Sequence, residues 1–204
     1  LILVQPFLWF RAFHMAHHRH TGDPAQDPEL ASPKPRTWPE LLWHLATLEY
    51  WRDKLTVLLQ NAAGTPSGAY SSKRLRPRIT WEARAYLAAY AALGAVGLLT
   101  PLGAMLVWAW LLPLAAGFPV LRLYLLAEHD GCPPVADMFR NTRTTFTDAL
   151  TRRLAWNMPY HAEHHAWPMV PFHKLPDLHR HTRAHLKSTS PSYCAFTGAL
   201  AKRL

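Results

Sequence analysis

Two cysteines, Cys132 and Cys194, are too few and too far apart for a disulfide framework or a cysteine-based zinc site. Acid is scarce too. Asp and Glu total 13 against 22 Lys and Arg, a net charge of +9 with histidine neutral. Such a surplus suits a nucleic-acid partner in a soluble protein and cytoplasmic loops in a membrane protein. No nucleic-acid recognition motif accompanies it, and the basic residues gather around apolar runs, so no nucleic-acid partner is expected. Internal repeats and low-complexity segments are also missing. The chain opens "LILVQPFLWF" with no Met, no charged leader and no small-residue cleavage site after it, which argues against a signal peptide. That run, residues 1–13, reads as the end of an upstream transmembrane helix in a truncated chain.

What the sequence does have is apolar length. From Trp81 to Glu128 two long apolar stretches flank Pro101, with charges only toward their outer ends: Glu82 and Arg84 in the first, Arg122 in the second. A bilayer core of about 30 Å needs ~20 helical residues, and both stretches reach that length. A buried helix pair of a soluble protein would show a polar stripe every three to four residues, which neither has. The spacing predicts a transmembrane hairpin over 81–126 that turns near "LLTPLG". The basic run "SSKRLRPR", residues 71–78, should hold its flank in the cytoplasm, and two crossings return Glu128 and His129 to that side. The segment from Thr37 to Gly64 alternates Trp, Leu and Tyr with Glu, Arg and Lys. It suits helices lying at the membrane interface, or plain surface helices. The short basic stretch Leu175 to Leu186 should rest against the cytoplasmic body. The fold expected is all-α: a single domain over 1–204, an integral membrane helical bundle whose cytoplasmic helical cap carries the histidines.

Histidine is the other abundance, at 13 copies. The pattern His-x-x-His-His occurs twice, as His14, His17, His18 and as His161, His164, His165. On a helix, positions i, i+3 and i+4 share a face, so each copy can aim two or three imidazoles at one point. One copy alone is compatible with a pH-sensing or satisfied cluster; two copies point to metal. So many imidazoles without a thiolate exceed the needs of one tetrahedral zinc, and neither copy is His-Glu-x-x-His, which removes the zinc-protease reading. Ligand type alone does not choose among zinc, copper, iron and nickel. The surplus favours two ions, with nearby carboxylates expected to orient the rings: Glu163, Glu128, Asp23, Asp27 and Glu29.

At these residues the chain resembles a known family. "HMAHHRHTGDPAQDPE" and "WNMPYHAEHHAWPMVPFHKLP" look like the second and third histidine boxes of the integral-membrane fatty acid desaturase and hydroxylase superfamily. "LLAEHDG" and "NTRTT" resemble linking segments of its bacterial members. The resemblance implies that His14, His17, His18, His161, His164 and His165 are ligands of a non-haem di-iron centre. It makes His129 a further ligand; a supporting or interface histidine is the alternative there. Asn141 and Asn157 could hydrogen-bond near the metals or act as caps. His173, His179, His181 and His185 fall outside the boxes and read as tail surface. The family's earlier box, His-x3–4-His, has no counterpart before His14, so the chain as it stands is expected to be inactive without that box.

The resemblance further implies an O2-dependent membrane oxidase, foremost a desaturase placing a double bond in an acyl-lipid or acyl-thioester chain. A lipid or carotenoid hydroxylase on the same scaffold is the alternative, and a non-catalytic polyhistidine metal carrier a more distant one. Two iron ions, O2 and an electron donor such as ferredoxin or cytochrome b5 would be required. The expected location is a membrane, a bacterial inner membrane for a bacterial member, with the boxes on the cytoplasmic side.

Overall fold

The computed structural model describes residues 3–68 and 70–204; Leu1 and Ile2, where the predicted upstream helix begins, lie outside them. Among the described residues the regular structure is helical except for one parallel pair of two-residue strands. The chain divides into two compact units: the stretch up to Ala16 with Trp43–Val120, and His17–Leu42 with Leu121–Leu204.

The first unit takes the start of α1 (Phe7–His20), the end of α2 (Trp38–Ala46), α3 (Leu48–Ala62) and α4 (Arg76–Leu99). It also holds α5 (Leu102–Leu106), a single π turn (Val107–Leu111) and the start of α6 (Leu112–His129). Thr47, at φ 62°, breaks α2 from α3. Its core is aromatic and aliphatic. Buried Trp9 stacks on Phe13 and donates from Nε1 to Ser67 Oγ at 3.2 Å, while Phe118 packs against Tyr50 and Trp51 and Leu58, Ile79 and Ala83 are buried.

The hairpin turns at Thr100 and Pro101, as the sequence predicts. Thr100 leaves the helix in an extended conformation and its hydroxyl receives the Leu102 N–H at 3.2 Å. The return is tight enough that a Cβ on Gly103 would collide with the Gly97 carbonyl oxygen.

Of the two membrane spans expected, one arm only is a candidate. Among the described residues, one helix, Leu102–His129, is long and apolar enough to cross a membrane, and only 6 % of its apolar window is buried. A core helix of that composition would be covered by protein. α4 carries Arg76, Arg78, Glu82 and Arg84 in its opening turns, and only the part beyond them is apolar.

Two of those charges tie down neighbouring helix ends. The Glu82 carboxylate accepts the Phe7 and Leu8 N–H groups at 3.1 and 2.8 Å, which satisfies orphan donors of a helix whose own first turn holds no acid. Arg84 Nε donates at 2.9 Å to the Ala62 carbonyl at the end of α3. Glu82→Ala should therefore lower stability by about 1–2 kcal/mol, the range of a lost cap. Chemical denaturation of the detergent-solubilised chain measures this, with Glu82→Gln retaining part of it.

The second unit follows α6 through α7 (Met138–Asn141), β1 (Thr144–Thr145), α8 (Ala149–Leu154) and α9 (His161–Ala166). It closes with α10 (Leu175–Thr182), β2 (Thr189–Ser190) and α11 (Tyr193–Arg203). Thr144 pairs with Thr189 and Thr145 with Ser190. Leu126, Ala127, Ala162, Leu175, Phe196 and Leu200 form the buried apolar set. Arg143 binds the end of α6, donating to the Ala127 and Asp130 carbonyls at 2.8 Å each, and its guanidinium lies over Phe196. The basic stretch from Leu175 does rest against this unit, with Leu175 wholly buried.

Candidate metal centre

α1 runs through "HMAHHRH" and stops at His20, where Gly22, at φ 79°, turns the chain back. The turn carries Asp27 onto the helix end. Asp27 is buried and its carboxylate takes three donors: His17 Nδ1 at 2.8 Å, Gly22 N at 2.9 Å and Glu29 N at 2.9 Å. Burial alone would raise this carboxyl, but the His17 hydrogen bond and charge and the two backbone N–H groups outweigh it and hold it low. A carboxylate can only accept, so the hydrogen-bond pattern places a proton on His17 Nδ1 and leaves Nε2 as the nitrogen able to ligate.

The same logic fixes two more rings. His165 on α9 meets the Thr21 hydroxyl through Nδ1 at 3.0 Å. That hydroxyl already donates to the His17 carbonyl at 2.7 Å, so it accepts from His165. Buried His165 Nε2 then has no hydrogen-bond partner. His129, the last residue of α6, donates from Nδ1 to the Asn141 carbonyl at 3.2 Å.

The ligand nitrogens of His17, His129 and His165 lie within 4.8 Å of one another. His17 Nε2 and His129 Nε2 are 3.2 Å apart, and His161 Nε2 is 3.3 Å from His129 Nε2. Lone pairs facing at this distance repel unless a proton or a cation lies between them. Nitrogens bound at about 2.1 Å to one ion sit at about 3–3.5 Å from each other, so these rings fit a shared metal. Holding the Nδ1 protons on an oxygen acceptor is how metal-binding imidazoles are usually oriented.

A second group lies beside the first. His18 stacks on His165 at 4.0 Å between ring centroids and meets His164 edge-on at 4.5 Å. The ligand nitrogens of His18 and His164 lie within 4.8 Å, as do those of His18 and His14 one turn earlier on α1. Phe10 stacks on the His14 ring. Together with His129, the two His-x-x-His-His patterns thus supply a three-nitrogen group able to bind a metal and further imidazoles next to it. The helical period predicts this for each box separately; which rings meet is set by the packing of α9 against the end of α1 and of α6.

Burial pushes the His161 and His165 imidazoles well below the usual histidine value of 6.5. Below that value the unfolded chain takes up protons that the folded chain refuses, so acid works against the fold. The metal-free chain should melt at a lower temperature at pH 5.5 than at pH 7.5, as circular dichroism would show.

A family model for fatty acid desaturases matches residues 1–197. The chain belongs to that family. No match was found among curated proteins or among solved structures.

Around these rings, several supporting residues escape sequence reasoning. Thr21 and the Asn141 carbonyl hold two of the rings, and nothing in their spacing marks them. The Asn141 side chain, itself buried, donates to the Thr21 and Val135 carbonyls at 3.0 and 2.8 Å. Asn157 lies elsewhere, at φ 58°, donating to the Phe172 carbonyl at 3.1 Å. His179 departs from its reading as tail surface. It is half-buried, and its Nδ1 bonds the Glu163 carboxylate, which is wholly buried and also accepts from Thr144. Glu163 thereby anchors α9 from below instead of reaching a ligand ring. His173, His181 and His185 are exposed as expected. Glu128 stands 3.5 Å from His161 Nδ1, Asp23 caps its own turn at Ala25, and Glu29 lies 3.1 Å from His17 Nε2.

Proposed function

We propose that this chain carries the iron-binding part of an O2-dependent membrane oxidase that desaturates acyl chains. The observation that carries the reading is the convergence of His17, His129 and His165, each with its Nδ1 held by an oxygen acceptor. The neighbouring pair His18 and His164 offers ligands for a second ion, and His14 and His161 complete the set named by the two boxes. Two irons held there would activate O2 to take hydrogen from an unactivated methylene. The chain's own contribution is to orient the imidazoles, favour the neutral form of His129, His161 and His165 by burial, and shield the site from bulk water.

The uncovered apolar helix Leu102–His129 supports a lipid setting, and a membrane acyl lipid or acyl thioester is the substrate class it favours. The surplus of 22 Lys and Arg over 13 Asp and Glu suits an acidic electron donor such as ferredoxin or cytochrome b5 approaching from the cytoplasmic side. Nothing in the site itself selects desaturation over hydroxylation.

Expression of the protein that carries this chain in a desaturase-deficient host, with lipid profiling by mass spectrometry, separates these outcomes. Loss of two hydrogens from an acyl chain is expected, whereas gain of one oxygen would make it a hydroxylase. Metal analysis should give about two irons per chain; a single zinc with no O2 consumption would sink the oxidase reading.

A further inference from the structure

The second unit carries large apolar side chains on its outer surface around α8. Leu150 and Leu154, one turn apart on that helix, are 67 and 73 % exposed, and Trp156, just beyond it, is 64 % exposed. The Trp156 ring packs against Phe172, itself exposed, at 4.7 Å between centroids, which joins the segments on either side of α9; Met169 between them is 87 % exposed. Single exposed apolar residues are ordinary, but a cluster of this kind belongs to a surface that something apolar covers. The backbone agrees. Trp156 is held at φ 54°, in the left-handed region where a bulky residue is strained. Strain of that kind persists where the side chain it places has a use.

Position along the spanning helix identifies the cover. Arg122 is the first charged residue after Arg84, so the polar boundary of a bilayer crossed by this helix falls near it. Tyr124, within a turn of Arg122, stacks on Tyr193 of α11 at 4.9 Å between centroids. Thr147 and Thr151, at the start of α8, line one hollow together with Tyr193. The start of α8 therefore lies at the level where the helix meets lipid head groups, a level that favours Trp and amphipathic turns. Its charges fit that place. Asp148 is engaged in capping α8, accepting the Thr151 N–H at 2.9 Å, and Arg152 donates to the Thr147 carbonyl. Arg153 is exposed beside the two leucines, where lipid phosphate would meet it.

We propose that Leu150, Leu154, Trp156, Met169 and Phe172 form an interfacial anchor seated in the head-group layer of a phospholipid bilayer beside the spanning helix. The inference rests on the lipid setting of α6 and goes beyond the oxidase reading, because it puts the segments flanking α9 on the membrane surface. Since α9 carries His161, His164 and His165, the anchor sets the height of those rings above the acyl chains.

Spin labelling of the whole chain, carrying Cys132→Ser and Cys194→Ser and reconstituted in bilayers of phosphatidylethanolamine and phosphatidylglycerol, tests this. Nitroxides on Leu150→Cys and on Leu154→Cys should meet O2 at least about threefold more readily than a water-soluble nickel chelate, and one on exposed His181→Cys should show the reverse. Leucine-site labels reached mainly by nickel would put the patch in water. Labels reached by neither reagent would put protein over it, such as a second copy of the chain. Either result overturns the proposal. A label on Ala115→Cys, midway along the span, separates the premise from the inference. It should meet O2 preferentially even if α8 does not, and nickel there would remove the membrane setting itself. Should the cysteine-free chain fail to fold by circular dichroism, fluorescence quenching by brominated lipid decides alone. Trp156→Phe should then reduce the quenched share of the emission, and unchanged quenching refutes the anchor.

Discussion

His165→Ala should strip the three-nitrogen group of its metal, with affinity falling by more than about 100-fold, beyond the range typical of losing a supporting partner. Three features make this position the most sensitive. Its Nε2 is buried, and among the described residues no protein group hydrogen-bonds it. Its ring is edge-on to His17 and His129, at 4.9 and 4.7 Å between centroids, and stacked on His18, so it borders both groups. Its Nδ1 partner, Thr21, is satisfied on its own through the His17 carbonyl, so the variant leaves little else unpaired. Metal content after dialysis and the acyl-lipid profile of the expressing host measure the effect, and both should drop to background. His164→Ala should likewise abolish product; unchanged product would remove it from the ligand set. His181→Ala, at an exposed tail position, should change neither.

Asp27→Asn should lower metal affinity by about 100-fold while leaving the helix content intact. The substitution preserves shape but replaces one acceptor oxygen by an NH2 group. Asp27 receives three hydrogen bonds, from His17 Nδ1 and from the Gly22 and Glu29 N–H groups. An amide has one oxygen for them, and the two backbone donors cannot move. If the NH2 faces His17, that ring must accept through Nδ1 and carry its proton on Nε2. The nitrogen aimed at the metal then has no lone pair to give. The same flip takes the acceptor from the Glu29 N–H, which shares Oδ1 with His17, so a modest drop in the thermal melt should accompany a steep fall in Co(II) or Fe(II) binding. Equal binding by Asp27→Asn and wild type would show that His17 does not bind through Nε2.

Legibility differs by residue for physical reasons. His14, His17 and His18, and His161, His164 and His165, could be read because a helix repeats every 3.6 residues and a cluster at i, i+3, i+4 has one geometric meaning. The hairpin was legible from Pro101 between two apolar runs. Its first arm was read as too apolar, because Glu82 and Arg84 look like chain-end charges in sequence. In the folded chain they cap α1 and α3. His179 was misread for the related reason that a basic, histidine-rich tail looks solvated until its one buried partner, Glu163, is found opposite it. Thr21 and Asn141 act through a hydroxyl and a carbonyl, groups that many residues offer, so composition cannot single them out.

By itself the sequence determined that the chain is helical, that apolar runs flank Pro101, and that two histidine patterns present imidazoles in rows. These follow from local periodicity and from composition, which act over one or two helical turns. The tertiary structure decided which rings meet, which nitrogen each one offers, and which oxygen holds the other. Those depend on hydrogen bonds between residues as far apart as Thr21 and His165, or His17 and His129. Long-range pairing of this kind is settled only when helix ends pack and buried polar atoms must each find a partner.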